Sequence, residues 1–78
     1  MDMKNLITYI AKSLVDQPDL VKITGVEGET TSVLELSVAK EDIGKIIGKQ
    51  GKTASAIRTI LNAASNKIKR RSILEIID

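Results

Sequence analysis

The residues best suited to chemistry in this chain form the segment Gly48-Lys49-Gln50-Gly51, flanked by two further lysines, Lys45 and Lys52. Glycine has no Cβ atom, so two glycines three positions apart let the backbone turn sharply and let a phosphate group approach it closely. The ammonium groups around this turn supply positive charge for an anion. We therefore predict that residues 48–51, the glycine loop, contact a polyanion.

Positive charge is concentrated in the second half of the chain. Residues 1–42 contain four lysines and eight carboxylates, a net charge of −4, whereas residues 43–78 contain eight cations and two carboxylates, a net charge of +6. No acidic residue occurs between Ile43 and Leu74. Such a one-sided block of charge indicates a polyanionic partner, although a solvated helix face produces the same pattern.

The chain lacks the side chains that most catalytic and metal sites use. It contains no cysteine and no histidine, which removes disulfides, thiolate zinc sites and the usual general base. Gly51-Lys52-Thr53 looks like the end of a P-loop, but Ile46 stands where the first glycine of that motif is required. The carboxylates fall mostly in predicted turns, at helix starts or on solvent faces. We therefore predict no enzyme, no cofactor and no metal ion.

Length and composition predict one soluble, cytoplasmic domain that spans residues 1–78. The N-terminus lacks the basic and apolar regions of a signal peptide, and no apolar run approaches the roughly 18 residues of a membrane span. Apolar residues make up 42% of the chain, but Tyr9 is its only aromatic residue. A nucleic acid would therefore have to be bound by backbone amides, cations and aliphatic groups rather than by ring stacking.

Hydrophobic periodicity and turn residues predict the elements that hold the loop. Residues 4–15 form an amphipathic helix, which Pro18 ends by restricting the residue before it. Two strands follow, the first at residues 20–26 and the second around residues 34–38. Gly28 supplies the tight turn between them, so we expect the two strands to be antiparallel.

Two helices and a last strand are predicted in the second half. A short helix at residues 41–47 precedes the glycine loop, a longer one at residues 52–66 follows it, and a mostly buried strand occupies residues 72–77. The apolar stripe of the longer helix comprises Ile57, Ile60, Leu61, Ala64 and Ile68. The connection between the second and third strands is long enough for a crossover, so these strands can pair in parallel. The order helix, strand, strand, helix, helix, strand predicts an α+β domain with a three-stranded mixed sheet packed on helices.

The segment Ile46-Ile47-Gly48-Lys49-Gln50-Gly51, followed by Ile57, resembles the I-I-G-x-x-G-x-x-x-x-x-I signature of KH domains. The order of elements is similar to the bacterial, type II form of that fold. Residues 41–54 and Ala56-Ile57-Arg58 are similar nearly throughout to the short stand-alone bacterial KH proteins of the KhpA, or YlqC-like, family. The resemblance implies a single type II KH domain whose core and glycine loop lie in residues 31–78.

The resemblance implies a function as well as a fold. Members of this family are cytoplasmic RNA-binding proteins, regarded as RNA chaperones, that influence cell-wall homeostasis and cell length. They pair with themselves or with a larger, multidomain KH protein called KhpB, Jag or EloR. For this chain the implied ligand is single-stranded RNA, bound with little sequence selectivity.

The predicted RNA contacts fall on the glycine loop, the flanking cations, the aliphatic groove walls and a basic run near the end of the chain. They are Lys45, Ile46, Ile47, Gly48, Lys49, Gln50, Gly51, Lys52, Thr53, Ile57, Arg58, Lys69, Arg70 and Arg71. The basic run is either a solvated connector or a second wall of the groove, opposite the glycine loop. Gly44, inside the short helix, is either a site of close packing or a site of close RNA approach.

A second reading is that the KH fold serves chiefly as a protein-interaction module for dimerisation, with little RNA binding of its own. The many cations argue against it, because protein interfaces tend to exclude charge from their centres. A dimer is still expected, because about four nucleotides is a small footprint for one domain and pairing two sites raises avidity. The interface predicted on the longer helix comprises Ala56, Ile60, Leu61 and Ala63, with Ile60 or Leu61 as its apolar anchor.

Overall fold

The computed structural model describes residues 3–77, which form three α-helices and one three-stranded sheet. The elements in chain order are α1 (Met3–Leu14), β1 (Lys22–Glu27), β2 (Thr31–Ser37), α2 (Ile43–Ile47), α3 (Lys52–Lys67) and β3 (Arg71–Ile77). Short 3-10 turns lie at Pro18–Leu20, Lys40–Asp42 and Lys49–Gly51. The predicted α+β class and the predicted order of elements are both confirmed.

The sheet has β2 at its centre and β1 and β3 at its two edges. β1 is antiparallel to β2, with Lys22 opposite Ser37, and β3 is parallel to β2, with Thr31 opposite Arg71. Parallel neighbours need a crossover connection. The segment that contains α2, the glycine loop and α3 provides it, so both predicted pairings are confirmed.

One face of the sheet packs on the helices, and this face holds the core. Alternate residues of β2 point toward the helices, and Ser32, Leu34 and Leu36 are buried. The helices contribute to the same core Ile7 and Ala11 from α1, Ile46 from α2, and Ile57 and Leu61 from α3. Burying each of the larger aliphatic side chains contributes roughly 1.5–3 kcal/mol, so this layer stabilises the position of every helix.

The expectation that β3 is mostly buried is wrong. Ser72 and Leu74 are buried, whereas Ile73 and Ile77 are exposed. Helices cover only one face of the sheet, so side chains that alternate along an edge strand are exposed at every second position.

The face of α3 that packs on the sheet differs from the predicted stripe. Its buried residues are Ala54, Ile57, Leu61 and Ser65. Ile60 and Ile68, which we placed in the stripe, are exposed. Successive residues of an α-helix point about 100° apart, so Leu61 and Ile60 cannot both face the sheet. Ser65 fits the buried face because its hydroxyl donates a 2.7 Å hydrogen bond to the carbonyl oxygen of Leu61.

A buried carboxylate fixes the start of α2 to the segment that follows α1. Asp42 is 1% exposed, and its oxygens accept hydrogen bonds from the backbone N–H groups of Asp16 (3.3 Å) and Gln17 (3.0 Å). The ammonium group of Lys45 lies 3.3 Å from Asp42 and 2.8 Å from Asp16. Desolvation raises the pKa of Asp42, but the two backbone N–H groups and Lys45 outweigh it and hold the pKa below its ordinary value.

The glycine loop needs its two glycines for different reasons. Gly48 has φ +77° and ψ 175°, a combination that essentially only glycine adopts. A Cβ atom added there would also lie 2.6 Å from the Cβ atom of Thr53. Gly51 has the left-handed values φ +75° and ψ 9°, but nothing lies within 4 Å of an added Cβ atom. Gln50 between them is left-handed too, with φ 58°.

These geometries predict unequal costs for alanine in the loop. Gly51→Ala should lower the free energy of unfolding by about 1 kcal/mol, the conformational cost of a left-handed alanine. Gly48→Ala should lower it by about 3 kcal/mol or more, because conformational strain and overlap with Thr53 add together. Urea denaturation at neutral pH measures both values.

Gly44→Ala is the matched control for this pair. Nothing lies within 4 Å of an added Cβ atom at Gly44, so the close packing that we considered there is absent. Alanine inside α2 should therefore raise the free energy of unfolding by up to about 1 kcal/mol. Equal losses at Gly48 and Gly51 would contradict the geometry described for the loop.

The Asp42 carboxylate predicts a pH dependence of stability. Its folded-state pKa is lower than the ordinary value of 3.8, so its contribution is present above that value and is lost as the pH falls through the folded-state pKa. Asp42→Asn should destabilise the protein at pH 7, because asparagine offers one acceptor oxygen and no charge for Lys45. The difference in unfolding free energy between wild type and variant should shrink at pH 3.

Urea denaturation of both proteins at pH 7, 5 and 3 measures that difference. Asp19→Asn, which changes an exposed carboxylate, is the control and should have little effect at any of these pH values. A deficit of Asp42→Asn that stays constant from pH 7 to pH 3 would contradict the role assigned to the ionised carboxylate.

Candidate nucleic-acid interface

A shallow groove of about 360 Å³ lies between α2, the glycine loop, the first half of α3 and β3. Its lining residues are Ile43, Ile47, Gly51, Ala54, Arg58 and Ile76. Aliphatic side chains make up its floor, and no carboxylate takes part. Such a groove can hold a flat, unstacked base by van der Waals contact while the base's phosphate lies toward the loop.

Ile46 and Ile57, which we predicted as walls of the groove, are core residues instead. Both are buried and pack in the hydrophobic cluster between helices and sheet. Ile47, also predicted, does line the groove. Neighbouring residues of a helix point about 100° apart, so the two isoleucines of the Ile46-Ile47 pair serve different surfaces.

Three lining residues were missed from the sequence: Ile43, Ala54 and Ile76. A signal for the first two was present in the spacing. Ile43 lies four residues before Ile47, and Ala54 lies four residues before Arg58, so each shares a helix face with a predicted site residue. Ile76 carries no such local signal, because it reaches the groove only through the parallel pairing of β3 with β2.

Arg58 stands at the end of the groove away from the loop. Its guanidinium donates a long, 3.4 Å hydrogen bond to the carbonyl oxygen of Leu74 in the edge strand β3. The side chain therefore spans the gap between α3 and β3. Its remaining N–H groups offer donors to a phosphate or to the edge of a base.

The lysines around the loop differ in how free their charges are. Lys49 and Lys52 are exposed, and neither has a carboxylate within 4 Å among residues 3–77. The ammonium group of Lys45 instead contacts Asp16 and Asp42, and these hydrogen bonds raise its pKa. Two carboxylates already compensate the charge of Lys45, which argues against a direct phosphate contact from this residue.

The N-terminus of α3 adds to the positive potential at the loop. The helix starts at Lys52, directly after Gly51, and no side chain caps it. The positive end of a helix dipole and its free N–H groups favour an anion at this position. Lys49 and Gln50 are exposed beside it, and Thr53 packs against Gly48 inside the turn.

The basic run does not lie opposite the glycine loop as we predicted. Lys69 and Arg71 are at the far end of α3, and a helix of 16 residues is about 24 Å long. The guanidinium group of Arg70 is engaged in the fold, donating hydrogen bonds to the carbonyl oxygen of Gly28 (3.0 Å) and the hydroxyl of Ser32 (3.1 Å). Lys69 and Arg71 are exposed.

The predicted dimer interface is only partly available. Ala56, Ile60 and Ala63 are exposed on α3, and Ile60 has 45% of its surface accessible. Leu61 is 1% exposed and belongs to the core, so the expectation that it could anchor a partner is wrong. The helical rotation of about 100° per residue separates Leu61 from Ile60.

Two further features are absent from residues 3–77. No group of three or more carboxylates in this part of the chain is placed to hold a metal ion. None of the helices described here combines the length and the apolar character that crossing a membrane requires.

Comparison with known proteins gives matches along nearly the whole chain. The family model described as KhpA/KhpB, KH domain, matches residues 4–76. A protein of Clostridium acetobutylicum named RNA-binding protein KhpA is 56% identical over 75 residues, which cover 96% of this chain and 100% of that protein. Proteins of the same name from Borreliella burgdorferi and Aquifex aeolicus are 53% and 49% identical, covering 94% and 97% of this chain and 89% and 96% of their own lengths.

No solved structure matches the chain significantly. The family match nevertheless includes the glycine loop and every residue that lines the groove. The resemblance noted in the sequence is thereby confirmed. Because the family model and the relatives align over almost the full chain, and the fold has the elements of a KH domain, this protein belongs to the KhpA/KhpB family of KH domains.

Proposed function

We propose that this domain binds single-stranded RNA with its groove and glycine loop. The observation that carries the proposal is the junction of an aliphatic groove with the glycine loop and the N-terminus of α3. Two uncompensated lysines, Lys49 and Lys52, lie at the same junction. The relatives are named RNA-binding protein KhpA, which supports RNA as the ligand.

Each part of the site has a distinct role in this proposal. A phosphate approaches over Gly51, where no atom would meet an added Cβ atom within 4 Å, and Lys49 and Lys52 neutralise it. The attached bases lie against Ile47 and Ile76. A base can reach this floor only when it is unpaired and splayed away from its neighbours, so duplex RNA should bind more weakly.

The same geometry supports little sequence selectivity. Aliphatic walls accept any flat base, and the charged contacts go to phosphates, which carry no sequence information. Among the residues that line the groove, Arg58 alone has a polar side chain, and the free edge of β3 adds backbone groups that can meet base edges. About four nucleotides fill such a groove. Short and exchangeable contacts of this kind suit an RNA chaperone or a post-transcriptional regulator.

The wider biological role is proposed from the family resemblance. It supports a cytoplasmic protein that acts on RNA as a chaperone or regulator and is linked to cell-wall homeostasis and cell length. Because a groove for about four nucleotides selects few unique targets, we expect such effects to depend on many RNAs or on a partner protein.

We also propose that the domain pairs with a second KH domain, either another copy of itself or KhpB. Ala56, Ile60 and Ala63 support this proposal, because two small residues beside an exposed isoleucine let another helix approach closely. Ile60 points about 160° away from Arg58 around the helix. Pairing there would leave the groove open and join two short RNA sites, which raises avidity.

The loop predicts the effect of a charge reversal. Lys49→Asp with Gln50→Asp should weaken binding of single-stranded RNA by at least about tenfold, because two carboxylates replace donors where phosphates approach. The fold should be unaffected, since both residues are exposed and aspartate tolerates the left-handed conformation of Gln50. Fluorescence anisotropy with a labelled oligouridylate measures the RNA affinity, and urea denaturation measures the stability of the fold.

Lys12→Asp with Ser13→Asp is the matched control, because it changes the net charge equally at exposed positions on α1. This control should bind RNA within about threefold of wild type, the change expected from charge outside the site. If the loop variant binds as well as wild type, the glycine loop is not the site. The alternative of an interaction module with little RNA binding is favoured instead if the wild-type protein itself does not bind the RNA.

The exposed side of α3 predicts a test of pairing. Ile60→Lys should convert the dimer to a monomer at tens of micromolar protein, because it places a charge at the apolar centre of the proposed interface. Ile68→Lys is the control, because Ile68 is an exposed isoleucine at the C-terminal cap of the same helix, and this variant should still dimerise. Sedimentation velocity measures whether wild type, Ile60→Lys and Ile68→Lys are monomers or dimers.

A wild-type protein that is monomeric at these concentrations would exclude self-pairing. The same Ile60→Lys and Ile68→Lys variants mixed with KhpB would then test the heterodimer. A dimer that survives Ile60→Lys would locate the interface on another surface.

A further inference from the structure

We propose that an RNA strand leaving the groove past Arg58 continues along the junction of α3 and β3 to a second, basic subsite at Lys69 and Arg71. This inference rests on the proposed RNA binding by the groove. It gives the domain a longer footprint than the groove alone provides. Three features support this path: the shape of the surface, its charge and the backbone conformation of Lys69.

Three clefts run in series along this junction. The groove ends at Arg58, which also lines a second cleft of about 270 Å³, here called the seam. The seam shares Asn62 and Arg71 with a third cleft of about 530 Å³, here called the basin. Because each cleft shares lining residues with the next, the three clefts are neighbours along the junction. A strand that follows them passes over Arg58, whose guanidinium bridges α3 and β3 between the groove and the seam.

The three clefts are lined without any carboxylate. The seam is lined by Arg58, Leu61, Asn62, Arg71, Ser72, Ile73 and Leu74. The basin is lined by Thr30, Thr31, Asn62, Ser65, Asn66, Lys69, Arg70, Arg71 and Ser72. By contrast, the cleft on the other side of α3, which contains Lys4, also contains Glu27. Cations with hydroxyl and amide groups, and no acids, are complementary to a phosphate backbone.

Lys69 has a backbone conformation that glycine would adopt at a lower conformational free energy. The N–H group of Lys69 bonds to the carbonyl oxygen of Asn66, and that of Arg70 bonds to the carbonyl oxygen of Ser65. This pair of bonds is the Schellman arrangement, in which glycine usually occupies the left-handed position. Here Lys69 occupies it with φ 56°, at a cost of about 1 kcal/mol relative to glycine. The presence of lysine rather than glycine at this position supports a role for its ammonium group in the proposed subsite.

Compensation of the dipole of α3 does not account for all the cations near the C-terminal end of this helix. Cations in the last turn of a helix interact favourably with its carbonyl groups, and Lys67 is already there. Arg71 belongs to β3 rather than to α3, yet it lines both the seam and the basin. Arg70 has a structural role, because its hydrogen bonds to Gly28 and Ser32 hold one wall of the basin in place.

The length of this path sets the expected footprint. From the glycine loop to Lys69 the path follows α3, about 24 Å at 1.5 Å per residue. About four nucleotides occupy the groove. The remaining distance, from Arg58 to the C-terminal end of α3, is about 14 Å, which takes at most about four further nucleotides even at the roughly 3.4 Å phosphate spacing of a stacked strand. Oligonucleotides of four nucleotides should fill the groove alone, whereas longer ones should also reach Lys69 and Arg71.

The test compares two RNA lengths in one variant. Lys69→Gly with Arg71→Gln removes both charges, and glycine at position 69 should keep or raise stability because it relieves the left-handed strain. Lys12→Gln with Lys22→Gln is the control, removing the same charge from positions that line none of the three clefts. Binding of oligouridylates of four and twelve nucleotides is measured over a series of salt concentrations.

The variant should bind the twelve-nucleotide RNA roughly tenfold more weakly than wild type near physiological salt, with a salt slope shallower by about 1.4, as expected for two lost phosphate contacts. Its affinity for the four-nucleotide RNA should equal that of wild type. The control variant should match wild type on both RNAs, within the small effect of net charge.

Two results would overturn the extended path. Equal weakening on both RNA lengths would mean that these cations act only through their long-range field, and no weakening on either would mean that RNA does not reach them. The loop variant Lys49→Asp with Gln50→Asp distinguishes these results from a failure of the groove itself. If that variant binds both RNAs normally, or if wild type binds neither, the proposed function fails and the extended path fails with it.

Discussion

The parallel pairing of β2 with β3 is the constraint on which the rest of the structure depends. Parallel neighbours cannot be joined by a tight turn, so the chain must cross one face of the sheet between them. It does so with α2 and α3, which are separated by a sharp break at residues 48–51. Because α3 must return the chain to the start of β3, the glycine loop lies at one end of that helix and the basic run at the other.

One helix therefore serves three surfaces, separated by its rotation of about 100° per residue. Ile57 and Leu61 hold the helix on the sheet. Arg58 and Asn62 face the edge strand, where the proposed RNA path runs. Ile60 lies about 160° around the helix from Arg58 and is exposed to solvent. The buried carboxylate of Asp42 fixes the start of α2, the helix before α3. The glycine loop between α2 and α3 is therefore held from both sides.

The sequence predicted the elements and the loop better than it predicted the surfaces. Residues 48–51 were recognised because glycines between two amphipathic helices are a local signal. Ile46 and Ile57 were misassigned to the groove, since membership of an apolar motif does not say which side of a helix a residue occupies. The position of the basic run and the part played by Ile76 follow from the parallel register of β3, which no local pattern encodes. The ion pair of Lys45 with Asp16 joins residues that are 29 positions apart in the sequence.

The RNA site that we propose is the junction of the glycine loop and the aliphatic groove. Nuclear magnetic resonance titration with a four-nucleotide oligouridylate tests this proposal directly, because each backbone amide and isoleucine methyl group reports separately. We expect chemical-shift changes at the amides of Gly48, Gly51 and Thr53 and at the methyl groups of Ile47 and Ile76. Shifts that spare these residues and fall around Ile60 on the opposite side of α3, or no shifts at saturating RNA, would contradict it.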